Sequence, residues 1–193
     1  MDIPDRLRLP LDFDAAWLRA EAENFTREAW VRHYVQQNYD GDWSVIPLRG
    51  KAGATHPVMM IYSDPGCRDY EDTPFLEQCP ALREVLAAFQ CPLEAVRLMR
   101  LGPDSFIREH TDNDLRFEQG VARIHVPLVT SPDVIFWLNG SQVTLDAGTT
   151  WYLRLSDPHA VYNGGTEDRI HLVIDTRVNE WLRDLFARAL AAR

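Results

Sequence analysis

Apolar residues in the second half of the chain fall into short runs at 96–101, 121–129, 134–138, 142–145, 150–155 and 170–174. The runs are rich in β-branched and aromatic side chains and are divided by turn residues, which predicts strands. Asn139-Gly140 stands between two of them and predicts a two-residue hairpin, because both residue types accept the positive φ that such a turn demands. Many short strands at this spacing predict a mainly β fold, a jelly-roll sandwich or barrel, with helices packed against it. The helices are expected elsewhere. Residues 12–23 set Phe13, Trp17 and Ala20 at helical spacing, and Thr26 is a candidate N-cap for a second short helix carrying Trp30 and Tyr34. Between residues 40 and 72 the chain is rich in Gly, Pro and Asp, with only a short apolar run at 58–62. Pro80 opens a helix whose Leu82, Val85, Leu86 and Phe89 form one stripe. A final helix carries Val178, Trp181, Leu182, Leu185, Phe186 and Ala189 on one side. The Trp and Phe residues of these helices read as core. No linker or low-complexity segment interrupts the pattern. It predicts one domain: a helical and irregular part over 1–92, a β core over 93–176 and a C-terminal helix over 177–193.

Composition narrows the class of protein. With 193 residues, 46% hydrophobic and 25% charged, the chain is long enough to bury a core. No stretch approaches the roughly 18 uninterrupted apolar residues of a membrane span. The opening MDIPDRLRLPLDFD mixes charge with apolar residues and has no signal-peptide h-region, so a cytoplasmic location is expected. A net charge of −9 argues against nucleic acid or an anionic membrane as a general partner. Cys67, Cys79 and Cys91 are odd in number and are expected to be reduced thiols.

Candidate chemistry gathers in the strand-rich half. His110 and Asp112 form an H-x-D pair in REHTDND, and two side chains at i and i+2 of an extended segment point the same way. His159, in SDPHAVYNGG, would bring a second imidazole from a later strand. Two imidazoles and a carboxylate on one face suit Fe(II), because the other coordination positions stay open. Taken alone, the pair reads equally well as a polar turn. Arg169, in EDRIHLVID, supplies a cation whose planar fork matches a carboxylate. In VARIHVPLV, period-two alternation sets Arg123 and His125 on one face and Ile124, Val126 and Leu128 on the other. A cation and an imidazole side by side make a second candidate anion contact. Arg49 and Lys51 in PLRGKAG form a basic loop that would hold a substrate carboxylate, although most such loops are merely solvated. His56 is a candidate for the substrate mouth. His33 is not expected to bind metal, and His171, which shares a face with Arg169, reads as structural.

The succession H-T-D, R-I-H-V-P-L, P-H, Arg169 and V-I-D resembles the aspartyl/asparaginyl β-hydroxylase family over about residues 93–178, with a looser echo in WSVIPLRG. The resemblance implies a double-stranded β-helix, the cupin-like jelly roll. It implies Fe(II) held by His110, Asp112 and His159, and 2-oxoglutarate held at its distal carboxylate by Arg169 and near the metal by Arg123 and His125. The complete triad is similar to that of bacterial members, whereas vertebrate members have glycine where Asp112 stands. The implied activity is that of a dioxygenase hydroxylating an unactivated carbon of an amino acid, free or as an Asp/Asn-type peptide side chain. Its partners would be dioxygen and a small-molecule or peptide substrate. The alternative is a cupin-like metal-binding module that senses or binds a small ligand without turnover. Such a barrel has no need of Arg169, Arg123 and His125 as anion contacts.

Overall fold

A computed structural model describes residues 2–62, 66–112 and 115–192. The chain begins with strand β1 (Arg6–Asp12) and helix α1 (Ala15–Glu23), followed by strands β2 (Val31–Arg32), β3 (Tyr39–Asp40) and β4 (Trp43–Lys51). Helix α2 (Pro57–Ile61), strand β5 (Tyr70–Asp72) and helices α3 (Pro74–Glu77) and α4 (Pro80–Ala87) come next. The remainder is β6 (Leu93–Leu101), β7 (Ser105–His110), β8 (Val121–Val129), β9 (Val134–Leu138), β10 (Ser141–Val143), β11 (Thr149–Leu153), β12 (His159–Asn163), β13 (Arg169–Arg177) and helix α5 (Glu180–Ala191). The strands form two antiparallel sheets. The larger runs β1-β11-β8-β13-β6-β4-β2, with β5 beside β4, and the smaller runs β10-β9-β12-β7-β3. This is the predicted jelly roll with packed helices.

Alternation along the central strands gives the larger sheet two unlike faces. Leu98, Ile124, Val126, Leu172 and Ile174 point outward into a core shared with Leu18 of α1, Leu82 and Val85 of α4, and Leu185 and Phe186 of α5. Each of these side chains is fully or almost fully buried, and such burial is worth about 1.5–3 kcal/mol apiece. Met99, Leu101 and Val173 point inward and pack on Ile107, Phe136, Leu138 and Val161 of the smaller sheet. Between the sheets the inner face also carries Arg97, Arg123, His125, Arg169, His171 and Asp175, all buried.

The first third departs from the expected helix and loop. It supplies five strands, of which β1, β4 and β2 complete the larger sheet at its two ends. In β1 the alternating Leu7 and Leu9 are buried and Arg8 is exposed. In β4, Trp43–Leu48 are buried throughout, so its pattern is a continuous run rather than an alternation. Thr26 precedes only one 3-10 turn (Arg27–Ala29) and makes no side-chain cap, while Trp30 and Tyr34 lie beyond it. Helix α1 buries Leu18, Glu21 and Ala22 rather than Trp17, which is 42% exposed. Glu21 is inward because its carboxylate accepts from the amides of Ala81 and Leu82, at 2.6 and 3.0 Å, capping α4 from outside. At the predicted hairpin, Asn139 and Gly140 take φ of 51° and 69° and join β9 to β10. The three cysteines are unpaired by disulfides.

Candidate active site

The smaller sheet delivers two imidazoles to one point. His110 ends β7 and His159 begins β12, and these residues face one another directly across the ladder, with ring centroids 4.3 Å apart. Asp112 lies just beyond β7, where its amide donates to the carbonyl of Leu155 at 2.8 Å. One ligand atom each from His110, Asp112 and His159 falls within 4.8 Å of the others, so the predicted triad comes together in space.

Backbone carbonyls prepare both rings in the same way. His110 Nδ1 lies 2.7 Å from the carbonyl of Arg108, and His159 Nδ1 lies 3.0 Å from that of Asp157. A carbonyl only accepts, so each Nδ1 carries the proton and each Nε2 is left bare, as metal ligation requires. His110 Nε2 stands 3.6 Å from Asp112 Oδ1. Burial lowers the pKa of His159 to about 4, which keeps its ring neutral at pH 7. The donor set, two bare imidazole nitrogens and a carboxylate, fits a divalent iron with open positions.

Arg123 serves the triad rather than reaching into open space. Its Nη1 donates to Asp112 Oδ2 at 2.5 Å, while Nε and Nη2 donate to Asp175 at 2.6 and 2.9 Å. Asp175 also accepts from Arg97, whose Nη1 donates to the carbonyl of Ile61 at 3.0 Å. Burial opposes the charge of Arg123, yet Asp175 and Asp112 outweigh it and raise its pKa above the ordinary value. Three of its five donors are engaged in these bonds, and Arg123 also lines the cavity beside the triad. His125 lines the same cavity, and its Nε2 is buried without a hydrogen-bond partner among the described residues.

The triad lies on the wall of a cavity of about 610 Å³ between the sheets. Arg169 lines this cavity from the first position of β13, only 3% exposed. Among the described residues it has no carboxylate partner. Its Nη2 meets His171 Nδ1 at 2.8 Å, and its Nε has no hydrogen-bond partner among those residues. Burial lowers its pKa to about 9, so it remains a cation at neutral pH. Other walls carry Arg97, Arg177 and Glu94, with Arg177 Nη2 2.7 Å from Glu94 Oε1. His33 and Trp43 also line the cavity and stack with ring centroids 3.6 Å apart, and Trp43 leans towards His110 at 6.4 Å. Burial takes the pKa of His33 down to about 3.

Three candidates lie outside this space. Arg49 and Lys51 belong to β4 rather than to a loop, and neither lines the cavity. Arg49 is engaged by Asp72 and by the carbonyls of Tyr70 and Leu93, so it ties β4 to β5 and β6. His56 is exposed and caps α2, its Nδ1 accepting from the amide of Val58 at 3.3 Å. Conversely, Arg97 has no place in the sequence reading, and Asp175 enters it only as the end of V-I-D, without a role. Arg97 carries the same signal as Arg123, a cation alternating with apolar residues inside a strand.

A family model described as Aspartyl/Asparaginyl beta-hydroxylase matches residues 13–178. The chain belongs to this family. It is therefore an Fe(II)- and 2-oxoglutarate-dependent oxygenase, and the alternative of binding without turnover falls away. No curated protein sequence matches significantly. Among solved structures, an oxidoreductase of the 2OG-Fe(II) oxygenase family from Burkholderia pseudomallei is similar with a TM-score of 0.55 at 17% identity, covering 91% of this chain and 86% of that one. A Pseudomonas putida prolyl-4-hydroxylase gives 0.52 at 17%, covering 91% and 93%. The viral collagen prolyl hydroxylase of Paramecium Bursaria Chlorella virus-1, solved as a 2OG complex, gives 0.51 at 11%, covering 91% and 97%. At these identities the likeness is one of fold.

Proposed function

We propose that this β-hydroxylase family member hydroxylates an unactivated carbon of an amino acid, either free or as an Asp/Asn-type side chain, with His110, Asp112 and His159 holding the iron. The carrying observation is the pairing, in one cavity, of a preformed two-histidine, one-carboxylate cluster with a buried cation that has no acidic partner among the described residues. Arg169 takes the distal carboxylate of 2-oxoglutarate, and His125 stands beside its metal-proximal end. Arg123 orients Asp112 and steadies that end through it. When bound, iron and 2-oxoglutarate together supply the oxidising power, consuming dioxygen and releasing succinate and carbon dioxide. The chain's own residues bind, orient and exclude water: Phe136, Val161 and Val173 give the cavity apolar walls, and in such surroundings the attraction of Arg169 for an anion is stronger than in water. The Glu94–Arg177 ion pair on the cavity wall offers both signs of charge to a substrate bearing ammonium and carboxylate groups, and the His33–Trp43 stack gives it an apolar rest close to His110.

Anaerobic titration of the apoprotein with Fe(II) and then 2-oxoglutarate tests the site. A weak visible charge-transfer band is expected only with both present. His110→Ala and His159→Ala should abolish iron binding and turnover, and Arg169→Ala should raise the 2-oxoglutarate requirement about a hundredfold or more. Full activity in either histidine variant would remove the ligand assignment. Substrate class is tested by succinate formation with free amino acids and with Asp- or Asn-containing peptides, and stimulation by neither would overturn it.

A further inference from the structure

His171 reads as structural in the sequence, yet its position asks for more. It is 1% exposed, shares the inner face of β13 with Arg169, and is absent from the cavity wall. Its Nδ1 accepts from Arg169 Nη2 at 2.8 Å and lies 3.4 Å from His125 Nδ1. A guanidinium can only donate, so His171 Nδ1 is bare and the proton of the neutral ring sits on Nε2. The contact between the two Nδ1 atoms then needs its one proton on His125. Arg169 and His125 therefore converge on a single imidazole acceptor. Burial, Arg169 and His125 hold the pKa of His171 well below 6.5, so the acceptor carries no charge at neutral pH.

The contrast with the neighbouring cations gives this contact meaning. Arg97 and Arg123 are both bound by Asp175, and their charges are largely spent inside the protein. Arg169 is oriented by an imidazole instead, and its charge remains available to whatever enters. We propose that His171 is a positioning residue that fixes the guanidinium of Arg169 without neutralising it, and so sets the preference of the cavity for a 2-oxo acid with a second carboxylate. This rests on the assignment of Arg169 to the distal carboxylate. Aspartate at position 171 would satisfy the same donors but compete with the ligand. Alanine would leave a buried donor unpaired and the guanidinium loose. Asparagine places an uncharged oxygen close to the position of Nδ1.

The test is anaerobic titration of the Fe(II)-loaded protein with 2-oxoglutarate and with 2-oxobutyrate, which shares the chelating end and lacks the distal carboxylate. Absorbance of the charge-transfer band gives both dissociation constants. Wild type should prefer 2-oxoglutarate, and His171→Asn should stay within about threefold of it. His171→Ala should weaken 2-oxoglutarate about tenfold and His171→Asp about a hundredfold, on the scale of a hydrogen bond to a charged group. Affinity for 2-oxobutyrate should be unchanged in all three. Equal weakening for both acids in the folded variants, or unaltered preference in His171→Asp, would overturn the proposal. Arg169→Ala separates the premises. If it keeps the wild-type preference, the assignment of Arg169 fails; if it loses the preference while His171→Asp retains it, only the role of His171 fails.

Discussion

The two faces of the larger sheet are built from the same strands and obey opposite rules. Outward, β6, β8 and β13 present Leu98, Ile124, Val126, Leu172 and Ile174 to helices, and stability follows from area removed from water. Inward, alternate residues of those strands carry Arg97, Arg123, His125, Arg169, His171 and Asp175, and the first four of these line a cavity. Buried charges cost more than they return unless geometry and hydrogen bonding are complete. A chain that needed only a stable sandwich would fill both faces alike. The difference teaches where function has been placed, because the inner face gives up cohesion for a charged, partly unsatisfied surface.

Removing the counter-charge of the inner face should have the largest effect. Asp175→Ala leaves Arg97 and Arg123 buried without their shared acid. Equilibrium denaturation should show a loss of about 3–5 kcal/mol, and Fe(II) affinity should fall about 10- to 100-fold because Asp112 loses its anchored partner. A loss under about 1 kcal/mol would mean that the inner face does not depend on this carboxylate. Truncating the outer face breaks the comparison the other way. Leu172→Ala should cost about 2–4 kcal/mol of stability while leaving the 2-oxoglutarate dissociation constant unchanged; a large shift in that constant would show the faces to be coupled. The smallest effect is in pH. His125 and His171 have folded pKa values well below 6.5, so the unfolded chain binds protons there that the folded chain refuses. Their contribution is fully present above pH 6.5 and is lost as pH falls, by about 1.4 kcal/mol per pH unit for each histidine. His171→Asn should reduce the slope of stability against pH just below 6.5, as measured by denaturation at a series of pH values.

Legibility in the sequence followed the physics of each region. Strands β8 and β9 are read at their observed bounds because their runs are long, apolar and closed by turn residues. The H-x-D pair alone reads equally well as a polar turn, and the triad was legible only through its company: His159, the R-I-H of β8, Arg169 and the family resemblance they carry. The strands that bear it were less so: SFIREH and HAVYN are short and mixed in polarity, and SFIREH buries only two of its six residues although HAVYN buries four of five. The edge strand β1 alternates correctly, but its arginines and proline give it the look of a polar leader. Arg49 and Lys51 show the limit most plainly, since a basic residue at a strand end reads the same whether it faces a cavity or an acid on the next strand. Only pairing with β5 decides that. Arg97 and Asp175 are individually ordinary, and their importance lies in a contact across the sheet.

The inner face also has an electrical consequence. With Asp112 and Asp175 ionised, Arg97, Arg123 and Arg169 leave it one positive charge in excess, the Glu94–Arg177 pair being neutral by itself. A divalent cation arriving alone drives that excess up by two, and a dianion arriving alone reverses its sign. Together they leave it as it was. Metal and oxo-acid are therefore thermodynamically linked through the wall they share, each tightening the other by the same factor.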